Sequence, residues 1–102
     1  MNKIEYIERK YTYEHALWAY GPEAQTMMAF EEMSELMKEL CKHRRGQQNL
    51  DAIAEEVADV TIMLEQLRLI FGINDDVCRH MDQKVLRLQE RLGILRFEPE
   101  EL

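Results

Sequence analysis

Two segments carry the residues best suited to chemistry: Phe30-Glu31-Glu32-Met33-Ser34-Glu35-Leu36 and Ala54-Glu55-Glu56-Val57-Ala58-Asp59-Val60. Each sets two acids three residues apart, which on a helix advancing about 100° per residue places both carboxylates on one face, a turn apart. The surroundings match in kind. Glu32 has Met28, Ala29 and Leu36 at minus four, minus three and plus four, and Glu56 has Ala52, Ile53 and Val60 at the same offsets. A carboxylate set within an apolar arc is costly if buried alone, so it calls for a cation or a hydrogen-bond network. Either half alone is the ordinary pattern of a solvated helix face; the matched pair gives the pattern weight. If the two helices pack antiparallel, Glu32, Glu35, Glu56 and Asp59 converge across a groove. Oxygen-only ligation of that kind suits a hard divalent ion, Mg2+ or Mn2+. None of His15, His43 and His80 has a Glu three positions before it, so the Glu-x-x-His motif of di-iron bundles is absent.

The elements that must position these acids are helices. Turn signals are few in 102 residues with 4 Gly and 2 Pro, and they divide the chain into long helical patterns. The pattern predicts a first helix over Ile4 to Ala19, broken at Gly21-Pro22. A second runs to the basic stretch Lys42-His43-Arg44-Arg45 before Gly46, a third spans Leu50 to Phe71, and a fourth runs to Gly93 with Asn74, Asp75 and Asp76 offering cap side chains. On the second helix Ala29, Met33, Leu36, Met37 and Leu40 form an apolar arc, with Gln25, Met28, Glu32, Glu35 and Glu39 as a strip along its edge. On the third, Ile53, Val57, Val60, Leu64, Leu67 and Phe71 form the arc, with Glu56 inside it and Asp59 at its rim. The fourth gathers His80, Lys84, Arg87 and Arg91 in a sector of roughly 60° beside the stripe Val77, Met81, Val85, Leu88 and Leu92. Such a strip either covers apolar edges with long stems or holds phosphate oxygens. The fold class expected is all-α, one domain over residues 1–102, a bundle of about four helices. The tail from Phe97 is expected to fray.

Composition removes several alternatives. Thirteen Lys plus Arg against 20 Asp plus Glu give a net charge of -7, which repels nucleic acid. No apolar run approaches the roughly 20 residues of a membrane span, and the N-terminus lacks the apolar region of a signal peptide. Cys41 and Cys78 are far apart with no CxxC, which fits neither a disulfide scaffold nor structural zinc and makes the cytoplasm the expected compartment. They read as small packing residues. The 7 Met, including Met27, Met28, Met33 and Met37, read as filling the core and a subunit interface.

The paired segments resemble the ExxE and ExxD signature of the MazG-like, all-α nucleoside triphosphate pyrophosphohydrolases. Twenty residues separate Glu35 from Glu56, and the likeness covers about residues 24–92. The resemblance implies magnesium held by Glu32, Glu35, Glu56 and Asp59, and cleavage of a nucleoside triphosphate to monophosphate and pyrophosphate. It also implies a homodimer or homotetramer whose paired helices complete a four-helix core. Lys84 and Arg87 correspond to the family's phosphate-binding cations on the helix after ExxD, and Gln25 sits where some related dimeric dUTPases use an amide to read the base. Trp18 and Tyr20 offer surfaces on which a base could stack, and Glu31 or Glu55 could orient the attacking water. The alternative expectation is a non-catalytic helical dimer that senses nucleotide or acts through a protein partner.

Overall fold

The computed structural model describes residues 6–94, which form four helices and no strand. They are α1 (Tyr6–Tyr20), α2 (Pro22–Arg44), α3 (Leu50–Phe71) and α4 (Asn74–Leu92). The expected tail beyond Phe97 lies outside the described residues. Among the described residues no helix is long and apolar enough to cross a membrane.

The chain divides into two compact units, Met1–Gly72 and Ile73–Leu102. In the first, α2 and α3 form the main packed pair and α1 lies against both. Their pairing is antiparallel. Gln25 hydrogen-bonds Gln66, Glu32 neighbours Glu56 and Asp59, and Glu39 meets Asn49, so positions rise on α2 as they fall on α3. The reversal after α2 is tight: the Gly46 N–H bonds the carbonyl of His43 and Gln47 that of Lys42. Gly46 has φ of +100°, a conformation open to glycine and unfavourable for other L residues. Gly72 closes α3 in the left-handed conformation, its N–H directed at the carbonyls of Arg68 and Leu69.

Ala29, at 1% exposed, is buried in the packing of α2. The buried apolar side chains of the described residues are Ala29, Met63 and Tyr13, the last brought in by α1. The face of α2 turned inward therefore runs through Gln25, Ala29, Glu32, Met33, Leu36 and Glu39, with Met37 and Leu40 left exposed. This corrects the expected arc. The packing seam is rotated toward the acid strip because it centres on Ala29 and on a buried amide pair rather than on the larger apolar residues. Met27, Met28 and Met37 are exposed, as are Cys41 and Cys78, so neither cysteine packs in a core.

The second unit contains α4. It begins at Asn74 with Ile73 in the cap position and no side-chain cap, which corrects the expected capping role of Asn74, Asp75 and Asp76. Those residues instead form the first turn, where Asp75 and Asp76 suit the positive end of the helix dipole and Asp76 pairs with Arg79 at 3.1 Å. Met81, Val85, Leu88 and Leu92 are all exposed.

Candidate metal centre

Three of the expected acids meet between α2 and α3. One carboxylate oxygen from each of Glu32, Glu56 and Asp59 lies within 4.8 Å of the others, and all three side chains are half-buried. The geometry follows from the seam: Glu32 stands nearly one turn beyond Ala29, and Glu56 and Asp59 occupy the turns of α3 preceding Met63. Glu35 stays exposed outside this triad, yet its negative charge is felt at Glu56. Glu31 and Glu55 are exposed on the outer flanks of the same turns.

Electrostatics at the triad is unfavourable to three bare anions. Glu56 is pushed above the usual carboxylate range first by burial, then by the charges of Asp59, Glu35, Glu55 and Glu39. Glu32 is pushed the same way by burial, by the charges of Asp59 and Glu56, and by a hydrogen bond with Asp59 that requires a proton. The Oε2 atom of Glu56 is buried and has no hydrogen-bond partner. A buried acceptor left in this state is costly. A divalent cation would relieve both the mutual repulsion and the unsatisfied oxygen, and the all-oxygen donor set fits a hard ion such as Mg2+ or Mn2+.

Below the triad the sequence reading missed a structural clamp. Asn49 occupies the cap position of α3 but makes no cap bond; its Nδ2 reaches back to α2 and donates to the main-chain carbonyl and Oε1 of Glu39, both at 2.9 Å. Lys42 adds an ion pair to Glu39 at 3.0 Å. Asn49 first and Lys42 second hold the Glu39 carboxyl below its usual range. The available signal was a lone Asn at the end of a short polar loop, which normally reads as a helix cap.

Above the triad, Gln25 is buried, and its Nε2 donates to Oε1 of Gln66 at 2.7 Å. The expected edge position is thus corrected: the amide is engaged inside the bundle. Trp18 is 85% exposed and shares a shallow depression on α1 with Tyr11, Glu14 and His15; Tyr20 is exposed as well. Lys84 and Arg87 are exposed on α4, in the second unit.

No protein-family model, curated protein or solved structure matches the chain.

Proposed function

We propose that this chain is a Mg2+-dependent nucleoside triphosphate pyrophosphohydrolase of MazG-like type, cleaving an NTP or dNTP to the monophosphate and pyrophosphate. The observation that carries the reading is the Glu32, Glu56 and Asp59 triad with its unsatisfied Glu56 oxygen. Bound there, Mg2+ or Mn2+ would neutralise phosphate charge and lower the pKa of water. Glu32, Glu56 and Asp59 would hold the ion, with Glu35 as the fourth acid of the set. Glu31 or Glu55 orients the attacking water from the flank of the site. Lys84 and Arg87 grip phosphate oxygens, where charge-assisted hydrogen bonds are strongest. Trp18 stands apart in this reading, in the depression it shares with Tyr11, Glu14 and His15, and the Gln25 amide is bonded to Gln66.

The same reading makes the working protein a homodimer or homotetramer in the cytoplasm. Its support is a seam on α3: Leu50, Val57, Leu64 and Phe71 are exposed at seven-residue intervals, with Ile53, Val60 and Leu67 half-buried beside them. That is the a/d repeat of helices that pack in pairs. A second copy covering it completes a four-helix core.

The test is a screen of canonical and modified nucleoside triphosphates with Mg2+, reading monophosphate and pyrophosphate, with Glu56→Gln beside the wild type. Turnover that depends on Mg2+ and on Glu56 is expected. Binding of nucleotide without turnover on any triphosphate favours the non-catalytic dimer instead.

A further inference from the structure

Between α1 and α3 lies a groove of about 490 Å3, within the size range of small-molecule sites. Its walls include Arg9, Tyr13 and Ala16 from α1 and Ala58, Glu65 and Gln66 from α3. The groove and the acid triad both draw on α3, the groove on Ala58 and the triad on Asp59.

The groove is mainly apolar, with Arg9, Thr12, Tyr13 and Thr61 also in its lining, and two of its polar groups, Glu65 and Gln66, keep hydrogen-bonding capacity for a ligand. Gln66 is only 5% exposed, and the acceptor for its Nε2 is the thioether of Met63 at 3.9 Å, a weak partner. An amide nitrogen carries two hydrogens, so the buried Gln66 retains a donor without a strong acceptor. Glu65 takes a hydrogen bond from the Tyr13 hydroxyl at 3.1 Å, which fixes the carboxylate in the wall. A carboxylate accepts several hydrogen bonds, so Glu65 keeps acceptor capacity beyond that one.

We infer that this groove is a nucleobase pocket selecting bases that carry an exocyclic amino group, with Glu65 accepting from the amino group and Gln66 donating to the ring nitrogen or carbonyl beside it. The inference rests on the nucleotide reading above and deepens it. Cytosine, adenine and guanine each offer amino hydrogens to a carboxylate. Uracil and thymine offer a single N–H flanked by two carbonyl oxygens, which would face the Glu65 carboxylate and repel it. Small residues at Ala16 and Ala58 leave the groove open to a flat ring.

The experiment compares kcat/KM for cytidine and uridine triphosphates in wild type, Glu65→Gln and Ala16→Leu, alongside titration of the phosphate-free nucleosides cytidine and uridine by amide NMR. A glutamine amide both donates and accepts, so Glu65→Gln is expected to reduce the cytidine over uridine preference by about tenfold or more. Ala16→Leu fills the groove from α1 and is expected to weaken cytidine binding. Cytidine is expected to shift the amide resonances of Ala58, Thr61 and Gln66 in wild type, and uridine to shift them less. If no triphosphate turns over but cytidine still shifts those resonances and loses the shift in Glu65→Gln, the pocket stands and the catalytic reading falls. An unchanged preference in Glu65→Gln, or nucleoside shifts located elsewhere, overturns the pocket.

Discussion

The proposed chemistry turns on Glu56, a carboxylate that folding places beside two other acids with one oxygen unsatisfied. Because its folded-state pKa is raised, as is that of Glu32, both groups support the fold fully below the ordinary carboxylate pKa. That support is lost as pH rises through their raised values. Glu56→Gln mimics the protonated form, so in EDTA its Tm should equal or exceed that of wild type, with the gap widening from the carboxylate range toward neutrality. Mg2+ requires the deprotonated acids, so the Tm gain it gives wild type should grow over the same window. Thermal scans across pH with and without Mg2+ check both trends; a gap that narrows with rising pH contradicts them. Glu39 runs the other way. Its lowered pKa gives stability that is present above the ordinary value and lost as pH falls through the folded one, and its bonds to Asn49 and Lys42 mark it as a holding residue. The buried amide pair offers a separate test. Gln25→Leu strands the Gln66 acceptor and should cost about 1–3 kcal/mol, measured by denaturant unfolding, whereas Gln25→Leu with Gln66→Met should recover most of it.

At the scale of elements, helix content and most boundaries were legible in the sequence because glycines and a proline punctuate it. The third helix falls on Leu50–Phe71 as expected, and Gly72 and Gly93 end their helices in the left-handed conformation. The rotation of α2 was less legible. Periodicity ranks faces by apolar content, while the seam is set by the small Ala29 and by polar pairs, Gln25 with Gln66 and Glu39 with Asn49, that hydrophobic counting scores against burial. The convergence of Glu32 with Glu56 and Asp59 was foreseeable from matched surroundings; that Glu35 would stand apart was not, because it depends on this rotation. The α3 seam yields a prediction. Leu64→Glu sets a charge in the middle of the exposed stripe and should convert the proposed dimer to monomer in light scattering at micromolar concentration. In the proposed dimer each large apolar side chain of the stripe would contribute about half of the roughly 1.5–3 kcal/mol of full burial, since each is already partly covered. A wild type that is itself monomeric at that concentration counts against the assembly. On α4, Lys84→Ala or Arg87→Ala should lower kcat/KM by about 10- to 150-fold, the loss expected for a hydrogen bond to a charged group. Arg79→Ala, whose partner is Asp76 on the same helix, is the comparison and should change it little. A fall in kcat marks a contact made in the transition state, and a rise in KM marks one made equally to bound substrate.

For the molecule as a whole, an acidic chain, helical over its described residues, leaves many large apolar side chains exposed and brings three carboxylates together between α2 and α3. Three carboxylates so close repel one another without a counter-ion, which is the feature on which the proposed metal site rests. Acid type and spacing could be read from the chain alone; the groove proposed for the base could not, since it forms between α1 and α3 and draws polar residues from two distant segments, Tyr13 from one and Glu65 and Gln66 from the other. The measurement that bears most directly on the central claim is product analysis of nucleoside triphosphates incubated with wild type and Glu56→Gln, each with Mg2+ and with EDTA. The account predicts monophosphate and pyrophosphate in equal amounts from wild type with Mg2+ alone, and a rate at least about 100-fold lower for Glu56→Gln. Absence of turnover across the whole set of triphosphates, release of diphosphate and orthophosphate instead, or equal rates for the two proteins would contradict it.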